Sequence, residues 1–449
     1  MKFFVLLVLI LLSYNSKASW ETLDNYMFSS PRNTDALIVA KDGKILFEKY
    51  ANGFDAHKSH LLWSASKSLW QLIVGHAVFE GKIKIENSIC DYLSQYKNTT
   101  KCKIRIQDLL EFSSGLDWEE SYEKTPTESS VVDMLFYHGR SDMGRYVLKK
   151  KTEVEPASRW QYSTGDTVIL SRLLAEVYGK EDYAKLPFKF FNEELGLKSF
   201  VAEADPKGTF TAGSFLYLSP YDALKLGHKL IEKYKNPRSS MSLPQNWLKD
   251  SWTTASSLLI NPADWETADI SGRHWWINSA VEKWNVPLPY PNAPKDLLMA
   301  LGHWGQMIGI SPSENLVVIK FANQRDGLNI FDEIFKQIRL AMNPKYEAKK
   351  TPDYRVVNPL KKFHFPNPLD KWHLLKIAQA YQARLFCSCY FVMKQSQDYC
   401  TQYVHDDRVP AWILKIKIHE DQKRIEGIIG LSSVSAKYRN PQEGCRFEN

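Results

Sequence analysis

The sequence predicts an α+β fold, in which an antiparallel sheet is flanked by helices, contains an inserted all-helical subdomain and is followed by a small C-terminal α+β module. Three observations predict it. Apolar segments joined by a short turn indicate a pair of strands before residue 60. Short amphipathic helices dominate from about residue 82 to 197, and strand patterns return between residues 275 and 322. Strands at both ends with helices between them are typical of a layered α+β domain.

The first 18 residues predict a secretory signal peptide. Lys2 supplies a positive charge, residues 3–12 form an apolar stretch too short to span a bilayer, and Ser16-Lys17-Ala18 has the small-x-small form of a cleavage site. We therefore expect residues 19 onward to be exported, the protein to be secreted or periplasmic, and no membrane span to remain after cleavage.

A strand hairpin and a long helix open the main domain, which we predict at residues 19–345. Two apolar segments, Ala36 to Ala40 and Ile45 to Tyr50, are joined through Asp42-Gly43, a dipeptide that favours tight hairpin turns. Residues 60–81 follow with apolar side chains at helical spacing, no proline, and a glycine at the end. This second stretch predicts a buried helix.

Ser64 and Lys67 lie near the beginning of this predicted helix. A hydroxyl there is close to unpaired backbone N–H groups and to the positive end of the helix dipole, which stabilise a developing oxyanion. The amine of Lys67, three residues later, can reach the same face. The spacing is the S-x-x-K signature of serine acyl-transfer enzymes. The alternative is an ordinary N-cap serine followed by a solvated lysine.

Two other segments match the same signature, one beginning at Ser94 and one at Ser121. Both lie in polar stretches around predicted loops, whereas the Ser64 copy opens a long apolar helix. The context therefore favours Ser64 as the functional copy.

Tyr162 lies on a loop of the helical insert, directly before a helix that is predicted to begin near Asp166. A phenol at such a position can project into a cleft and transfer a proton. A half-buried core tyrosine is the alternative.

The closing strands contain the segment Gly302-His303-Trp304-Gly305-Gln306, which precedes an alternating apolar stretch. Glycines let the backbone of a strand approach a ligand closely, and the backbone N–H of Gln306 is a candidate oxyanion donor. A histidine on a strand is often purely structural.

The C-terminal part of the chain predicts a linker and a separate module. Residues 346–368 are rich in Pro, Lys and Asn and lack apolar periodicity, which indicates a linker, and residues 369–449 predict a small cysteine-containing α+β module. Six cysteines fit an oxidising compartment. Cys90 and Cys102 bracket a short loop and form a candidate disulfide. The pairing of four others stays open: Cys387, Cys389, Cys400 and Cys445.

Charge and motifs exclude several function classes. The net charge of +7 is spread over 449 residues without a long basic block, so no nucleic-acid partner is expected, while association with an acidic cell-wall polymer stays open. The sequence contains no phosphate-binding glycine loop, no GxGxxG and no HExxH. The cysteines match no zinc-ligand spacing, so we expect neither a cofactor nor a metal ion.

The order of three short motifs resembles that of the penicillin-recognising serine hydrolases. Ser64-Ala65-Ser66-Lys67 corresponds to their nucleophile motif, Tyr162-Ser163-Thr164 to the Tyr-x-Asn motif, and His303-Trp304-Gly305 to the Lys-Thr-Gly strand motif. Flanking segments resemble the branch that contains class C β-lactamases, esterases and aminohexanoate-oligomer hydrolases. The resemblance covers roughly residues 36–345 and implies a β-lactamase/transpeptidase-like fold.

Two positions depart from that family's pattern. Thr164 stands where the family usually has Asn, so a hydroxyl must replace a carboxamide that holds Lys67 and the substrate. His303 replaces the strand lysine, and an imidazole attracts a substrate carboxylate less than an ammonium does. With these departures, the resemblance implies neutral esters or amides rather than β-lactams or D-alanine peptides.

The resemblance also implies a two-step acyl transfer. Ser64 attacks a carbonyl, Lys67 or Tyr162 acts as the general base, and the backbone N–H groups of Ser64 and Gln306 stabilise the oxyanion. The other candidate substrate-binding residues are His303, Gly305, Thr164 and four aromatic residues for an apolar acyl pocket, namely Trp63, Trp118, Trp275 and Trp276.

We therefore expect an exported serine hydrolase that cleaves an ester or amide in a small molecule or a short peptide. A cell-wall D-amino-acid peptidase or weak β-lactamase is the enzymatic alternative, and an inactive wall-binding scaffold is the alternative of another class. A Ser-His-Asp enzyme of the α/β-hydrolase type is disfavoured, because the sequence contains no G-x-S-x-G elbow.

Overall fold

A computed structural model describes residues 20–29, 32–122, 126–260, 270–326, 330–352, 368–406, 409 and 412–448. The predicted signal peptide at residues 1–18, and residues 353–367 of the predicted linker, lie outside these ranges. Within the described ranges, every helix is too short or too polar to cross a membrane.

A six-stranded antiparallel sheet forms the centre of the main domain. The strands of this domain are β1 Thr34–Lys41, β2 Lys44–Tyr50, β3 His60–Leu61, β4 Val201–Ala202, β5 Leu216–Leu218, β6 Trp276–Ile277, β7 Leu298–Gly302, β8 Gln306–Ser311 and β9 Leu316–Ala322. The order in the large sheet is β2-β1-β9-β8-β7-β6. Because β1 pairs with β9, strands from both ends of the domain lie side by side. The predicted α+β fold is confirmed.

Helices cover both faces of this sheet. Their bounds are 20–28 for α1, Ala65–Phe79 for α2, Ile106–Leu110 for α3, Ser130–Phe136 for α4, Met143–Leu148 for α5, Thr164–Phe188 for α6, Pro220–Lys235 for α7, Trp247–Ser251 for α8, Ser256–Ile260 for α9 and Phe331–Met342 for α10. Successive residues of β1 point to opposite faces. Ile38 therefore joins the core that contains α2 and α7, whereas Leu37 and Val39 join the core that contains α1 and α10.

The predicted helical insert is present. Between residues 82 and 197, the described residues form α-helices and short 3₁₀ and π turns, and no extended strand occurs among them. Helix α6 begins close to the predicted start near Asp166 and runs to Phe188. Gly179, with φ of 72°, breaks it into two parts without a loop, because glycine adopts this left-handed conformation at little cost.

The helix predicted at residues 60–81 begins later than expected. His60–Leu61 is strand β3, which belongs to a three-stranded sheet of order β3-β5-β4. The N–H of Leu62 donates to Leu216 at 3.0 Å and so continues this pairing. Trp63 then turns the backbone with φ of 47°, and α2 starts at Ala65. Ser64 consequently lies between a strand and a buried helix.

The C-terminal module has the predicted α+β character. It contains α11 Pro368–Cys387, α12 Gln397–Tyr403 and an antiparallel sheet of β10 Leu414–His419, β11 Arg424–Ile429, β12 Ser432–Tyr438 and β13 Cys445–Phe447 in that order. In the sequence, two apolar segments at 412–419 and 424–431, joined through Glu420-Asp421, predict a hairpin, and the structure contains it as β10 and β11. The sequence analysis misses β12 because small polar residues dominate that strand.

Three disulfides join the cysteines. The predicted bond between Cys90 and Cys102 is present. The pairing that the sequence left open is Cys387 with Cys445 and Cys389 with Cys400. Two cysteines near the end of α11 are thereby bonded to β13 and to α12, so the helix is covalently tied to the rest of its module.

A buried ion pair fixes the C-terminal module on the main domain. Arg384 of α11 and Glu203, which follows β4, both have 0% exposed side chains, and Arg384 Nε donates to Glu203 Oε2 at 2.9 Å. Oε1 of Glu203 accepts hydrogen bonds from the Ser388 hydroxyl at 2.7 Å and from the Cys445 N–H at 2.8 Å. The module therefore supplies the groups that compensate this buried carboxylate.

We expect Arg384→Leu to lower the free energy of unfolding by about 3–5 kcal/mol, because it leaves the carboxylate of Glu203 buried without its cation. Urea denaturation with intact disulfides, followed by tryptophan fluorescence, measures this loss. Arg172→Leu is the matched control, because Arg172 pairs with Glu176 at the surface and such pairs contribute roughly 0–1 kcal/mol. Equal losses in the two variants would contradict the importance of the buried pair.

Candidate active site

Ser64 is positioned at the start of α2 with its side chain free of a structural role in the helix. It is the N-cap residue, yet its hydroxyl makes no capping hydrogen bond. The N-cap serines of α4, α6 and α7 do make such bonds. The preceding Trp63 holds a left-handed backbone conformation that is strained for a bulky residue. Ser64 itself is partly exposed.

Lys67 is the hydrogen-bond partner of Ser64. Its Nζ donates to Ser64 Oγ at 3.0 Å and to the carbonyl of Gly213 at 2.9 Å. The side chain is buried, and burial lowers the pKa of Lys67 to about 8, while the carboxylate of Glu120 opposes this shift. An amine with this pKa is neutral in a substantial fraction of molecules near pH 8, as a general base requires.

Tyr162 completes a group of three side chains from distant parts of the chain. Its ring centroid lies 4.8 Å from Lys67 Nζ. The ring stacks on Trp276 at 5.5 Å and packs on Phe112 at 4.9 Å. The structure therefore brings Ser64, Lys67 and Tyr162 together.

Glu120 is a site residue that the sequence analysis misses. Trp118 Nε1 donates to its Oε2 at 2.5 Å, and the N–H of Thr164 donates to the same oxygen at 2.9 Å. The hydroxyl of Thr164 donates to Oε1. The Thr164 hydroxyl thus gives its proton to Glu120, and its expected role in holding Lys67 and the substrate stays a prediction.

The turn between β7 and β8 approaches the Ser64 turn closely. A Cβ on Gly302 would lie 2.1 Å from the carbonyl oxygen of Leu62, so only glycine allows this packing. Gly305, with φ of 87°, also needs glycine's conformational freedom. The side-chain amide of Gln306 bonds to His303 and to Ala322. Because its side chain holds the turn, the backbone N–H of Gln306 remains the candidate oxyanion donor.

Lys320 of β9 holds this turn through hydrogen bonds, and the sequence analysis also misses it. Its Nζ donates to the carbonyl of Gly305 at 3.0 Å and to Gln324 Oε1 at 2.9 Å. Burial lowers the pKa of Lys320 to about 7. The Gly305 carbonyl and the Gln306 N–H belong to one peptide group, so the hydrogen bond that Lys320 donates to the carbonyl polarises this group and makes the N–H a stronger donor.

His303 lies among aromatic rings at the same end of the sheet. It stacks on Tyr122 with ring centroids 5.0 Å apart and meets the edge of Trp63 at 5.5 Å. The C-terminal module reaches this group, because Tyr403 of α12 contacts Trp304 at 5.4 Å. The turn that carries His303 therefore contacts both the main domain and the module.

The four tryptophans predicted to line an acyl pocket occupy different environments. Trp276 is half-buried beside Tyr162 and fits the prediction. Trp275 is fully buried, where its indole N–H bonds to Gln71, so it belongs to the core and its predicted pocket role is wrong. Trp63 is buried beneath His303, and Trp118 is buried while holding Glu120. One tryptophan of the four thus remains a candidate for substrate contact.

Comparisons with known proteins show the family to which the chain belongs. The Beta-lactamase family model matches residues 21–343, a range that contains Ser64, Lys67, Tyr162 and His303. The 6-aminohexanoate-dimer hydrolase of Paenarthrobacter ureafaciens is 21% identical over 311 residues, which cover 65% of this chain and 73% of the relative.

Solved structures share the fold. EstCE1, described as a hydrolase with promiscuous acyltransferase activity, is matched with a TM-score of 0.55 and 14% identity over 74% of this chain and 99% of that one. The class C β-lactamase of Rhodobacter sphaeroides is matched with a TM-score of 0.50 and 16% identity over 73% of this chain and 98% of that one. At these identities the likeness concerns the fold alone.

Proposed function

Since the chain belongs to the beta-lactamase family of serine hydrolases, we propose that it cleaves an ester or an amide through an acyl-enzyme formed on Ser64. One observation carries this proposal. Lys67 Nζ lies 3.0 Å from the hydroxyl of Ser64, and burial lowers the pKa of that amine to about 8. A partly exposed serine beside such a lysine is an activated nucleophile.

Proton transfer follows the contacts around Lys67. The oxygen of Ser64 attacks the carbonyl carbon of the substrate while its proton moves to Lys67, which we assign as the general base because its amine contacts Ser64 directly. Lys67 then returns this proton through the hydroxyl of Tyr162, whose ring lies beside it, to the leaving group as the bond between that group and the carbonyl carbon breaks. In the second step water attacks the acyl carbon and gives its proton to Lys67, which passes it to Ser64 Oγ as the acyl-enzyme bond breaks.

The developing oxyanion is stabilised by two backbone N–H groups, those of Ser64 and Gln306. The first is at the N-terminus of α2, where the helix dipole favours negative charge. The second is in the peptide group whose carbonyl accepts a hydrogen bond from Lys320. Each donor is held by the fold before substrate arrives, as electrostatic stabilisation requires.

The charges around Ser64 and Lys67 favour neutral substrates. Glu120 adds a carboxylate near Lys67, and His303 stands where the family has a cationic lysine. A substrate carboxylate, such as that of a β-lactam, therefore meets less positive charge here. The relative named 6-aminohexanoate-dimer hydrolase supports hydrolysis of a simple amide as an activity to test.

A substrate panel tests the proposal. Purified protein and its Ser64→Ala variant are offered short p-nitrophenyl esters, acyl p-nitroanilides and a chromogenic cephalosporin. Ester or anilide turnover that disappears in the variant is the expected result. Turnover of the cephalosporin alone would instead favour the β-lactamase alternative. No turnover, together with no covalent adduct with a fluorophosphonate, would favour the inactive scaffold.

Glu120→Gln is expected to shift the acid limb of the pH profile of kcat/KM to lower pH. The carboxylate of Glu120 raises the pKa of Lys67, so its removal lowers that pKa and leaves the amine neutral at a lower pH. The profile is measured with the best p-nitrophenyl ester of the panel. Glu119→Gln is the matched control, because the neighbouring Glu119 is exposed. A shift to higher pH would contradict the proposed coupling.

We also propose that the protein is exported. The short apolar N-terminal segment and the three disulfides support this proposal. Expression of the full sequence in a bacterium is expected to yield a mature protein outside the cytoplasm whose mass corresponds to cleavage after Ala18. Retention of the uncleaved chain in the cytoplasm would contradict it.

A further inference from the structure

Three potential metal ligands meet where the helical subdomain contacts the C-terminal module. Asp133 belongs to α4, His138 follows that helix, and His373 belongs to α11. One ligand atom from each residue lies within 4.8 Å of the other two. The same two helices also touch through Phe136 and Tyr381, whose ring centroids are 5.3 Å apart. The cluster therefore spans an interface between two parts of the chain.

The distances fit a metal ion after small side-chain adjustments. Asp133 Oδ1 lies 2.8 Å from His138 Nδ1 and 3.9 Å from His373 Nε2. Metal–ligand bonds of about 2.0–2.1 Å at tetrahedral angles separate the ligand atoms of zinc by roughly 3.3 Å. The two measured distances lie on either side of this value. Small rotations of the imidazoles therefore bring all three atoms to bonding distance of one ion.

Neighbouring groups orient the three ligands. The hydroxyl of Tyr146 donates to Asp133 Oδ2 at 2.8 Å, which leaves Oδ1 directed toward the histidines. The ring of Tyr137 packs against both imidazoles, with centroids 4.0 Å from His138 and 4.4 Å from His373. Hydrogen bonds and packing of this kind hold metal ligands in place in known sites.

We propose that Asp133, His138 and His373 bind a divalent transition-metal ion, of which Zn²⁺ fits best, and that this ion pins α11 to the helical subdomain. Two imidazoles and one carboxylate are a ligand set that zinc accepts. The side chain of His138 is 64% exposed, so the ion enters from solvent and water completes its coordination. The sequence gives no sign of the site, because His373 is far from the other two ligands along the chain.

Calorimetric titration of untagged, EDTA-treated and desalted protein with zinc sulfate tests the proposal. We expect one ion per chain in the wild type and at least about tenfold weaker binding in His373→Ala and in Asp133→Asn, since each variant removes a ligand. Zinc is also expected to raise the Tm of the wild type and to raise the Tm of His373→Ala by a smaller amount at the same zinc concentration. His138→Ala is a third variant. Because His138 is exposed, this variant tests the site if His373→Ala or Asp133→Asn disturbs folding.

His419→Ala is the matched control. His419 contacts a single carboxylate, that of Glu426, at 3.0 Å on β10 and β11 of the C-terminal sheet. This variant is expected to keep wild-type zinc affinity and the wild-type rise in Tm. Equal zinc affinity in the wild type, His373→Ala and His138→Ala would overturn the proposal, as would the absence of a one-to-one binding event.

Discussion

Ser64→Ala is expected to lower kcat/KM for the best ester of the panel by at least about 10⁴-fold, because removal of the nucleophile abolishes the acyl-enzyme route. The helix should be undisturbed, since the Ser64 hydroxyl makes no capping bond in α2. Its hydrogen-bond partner there is Lys67, at 3.0 Å. Initial-rate kinetics on folded protein, with circular dichroism as the folding check, measure the effect.

Ser94→Ala is the matched control for this prediction. Ser94 begins a second S-x-x-K match, but it lies in a short 3₁₀ turn rather than at the start of a buried helix. Its substitution should leave kcat/KM within about twofold of the wild type, because surface changes away from the site are usually small. If Ser64→Ala retained wild-type activity, the assignment of the nucleophile would be wrong.

Lys67→Met is expected to lower kcat/KM by about 10²–10⁴-fold, the range typical of a lost general base. Methionine fits a buried position and carries no amine. In the wild type, burial lowers the pKa of Lys67 to about 8. Below that pH the amine is protonated and cannot accept the Ser64 proton. Activity should therefore fall with decreasing pH below about 8, and Lys67→Met should lose this limb.

Lys97→Met is the control for the lysine, because it alters the second S-x-x-K match without touching the site. It should preserve both the rate and the pH profile. If Lys67→Met kept the acid limb of the wild-type pH profile, another residue would be the general base. Tyr162, whose ring lies beside Lys67, would then be the candidate.

The sequence predicted the candidate catalytic side chains because each lies in a short local pattern. Ser64 and Lys67 are three residues apart at the start of one helix, and Tyr162 directly precedes another. Glu120 has no such pattern. Its place in the site depends on hydrogen bonds to Thr164, which is distant along the chain, and to Trp118. Contacts that depend on tertiary structure leave no periodic trace in a sequence.

Lys320 could have been found. It is a lysine within β9, a strand whose other residues are apolar and whose seven positions are all buried. A charged group in such a strand needs a specific partner, and the structure supplies the Gly305 carbonyl.

The different environments of Trp275 and Trp276 also follow from the sequence. Neighbouring residues of extended chain point to opposite sides, so one indole lies in the core and the other beside Tyr162.

The two-residue strand β3 and the pairing of four cysteines could not be predicted from the sequence, because both depend on contacts between residues that are distant along the chain. His60–Leu61 is a strand only because β5 lies next to it. Cys387 and Cys389 are two residues apart, yet they bond to residues 58 and 11 positions later, respectively. The path of the intervening chain decides these partners.

The most direct test of the account is to locate, by mass spectrometry, the phosphonyl group that a fluorophosphonate leaves on the nucleophilic serine. The wild type is treated with a fluorophosphonate, digested and sequenced by tandem mass spectrometry. We predict a single modification on Ser64, which forms faster above pH 8 than at pH 6 because Lys67 is then neutral. A modification on a different serine, or equal labelling of Ser64→Ala, would contradict the central claim that Ser64 is the nucleophile.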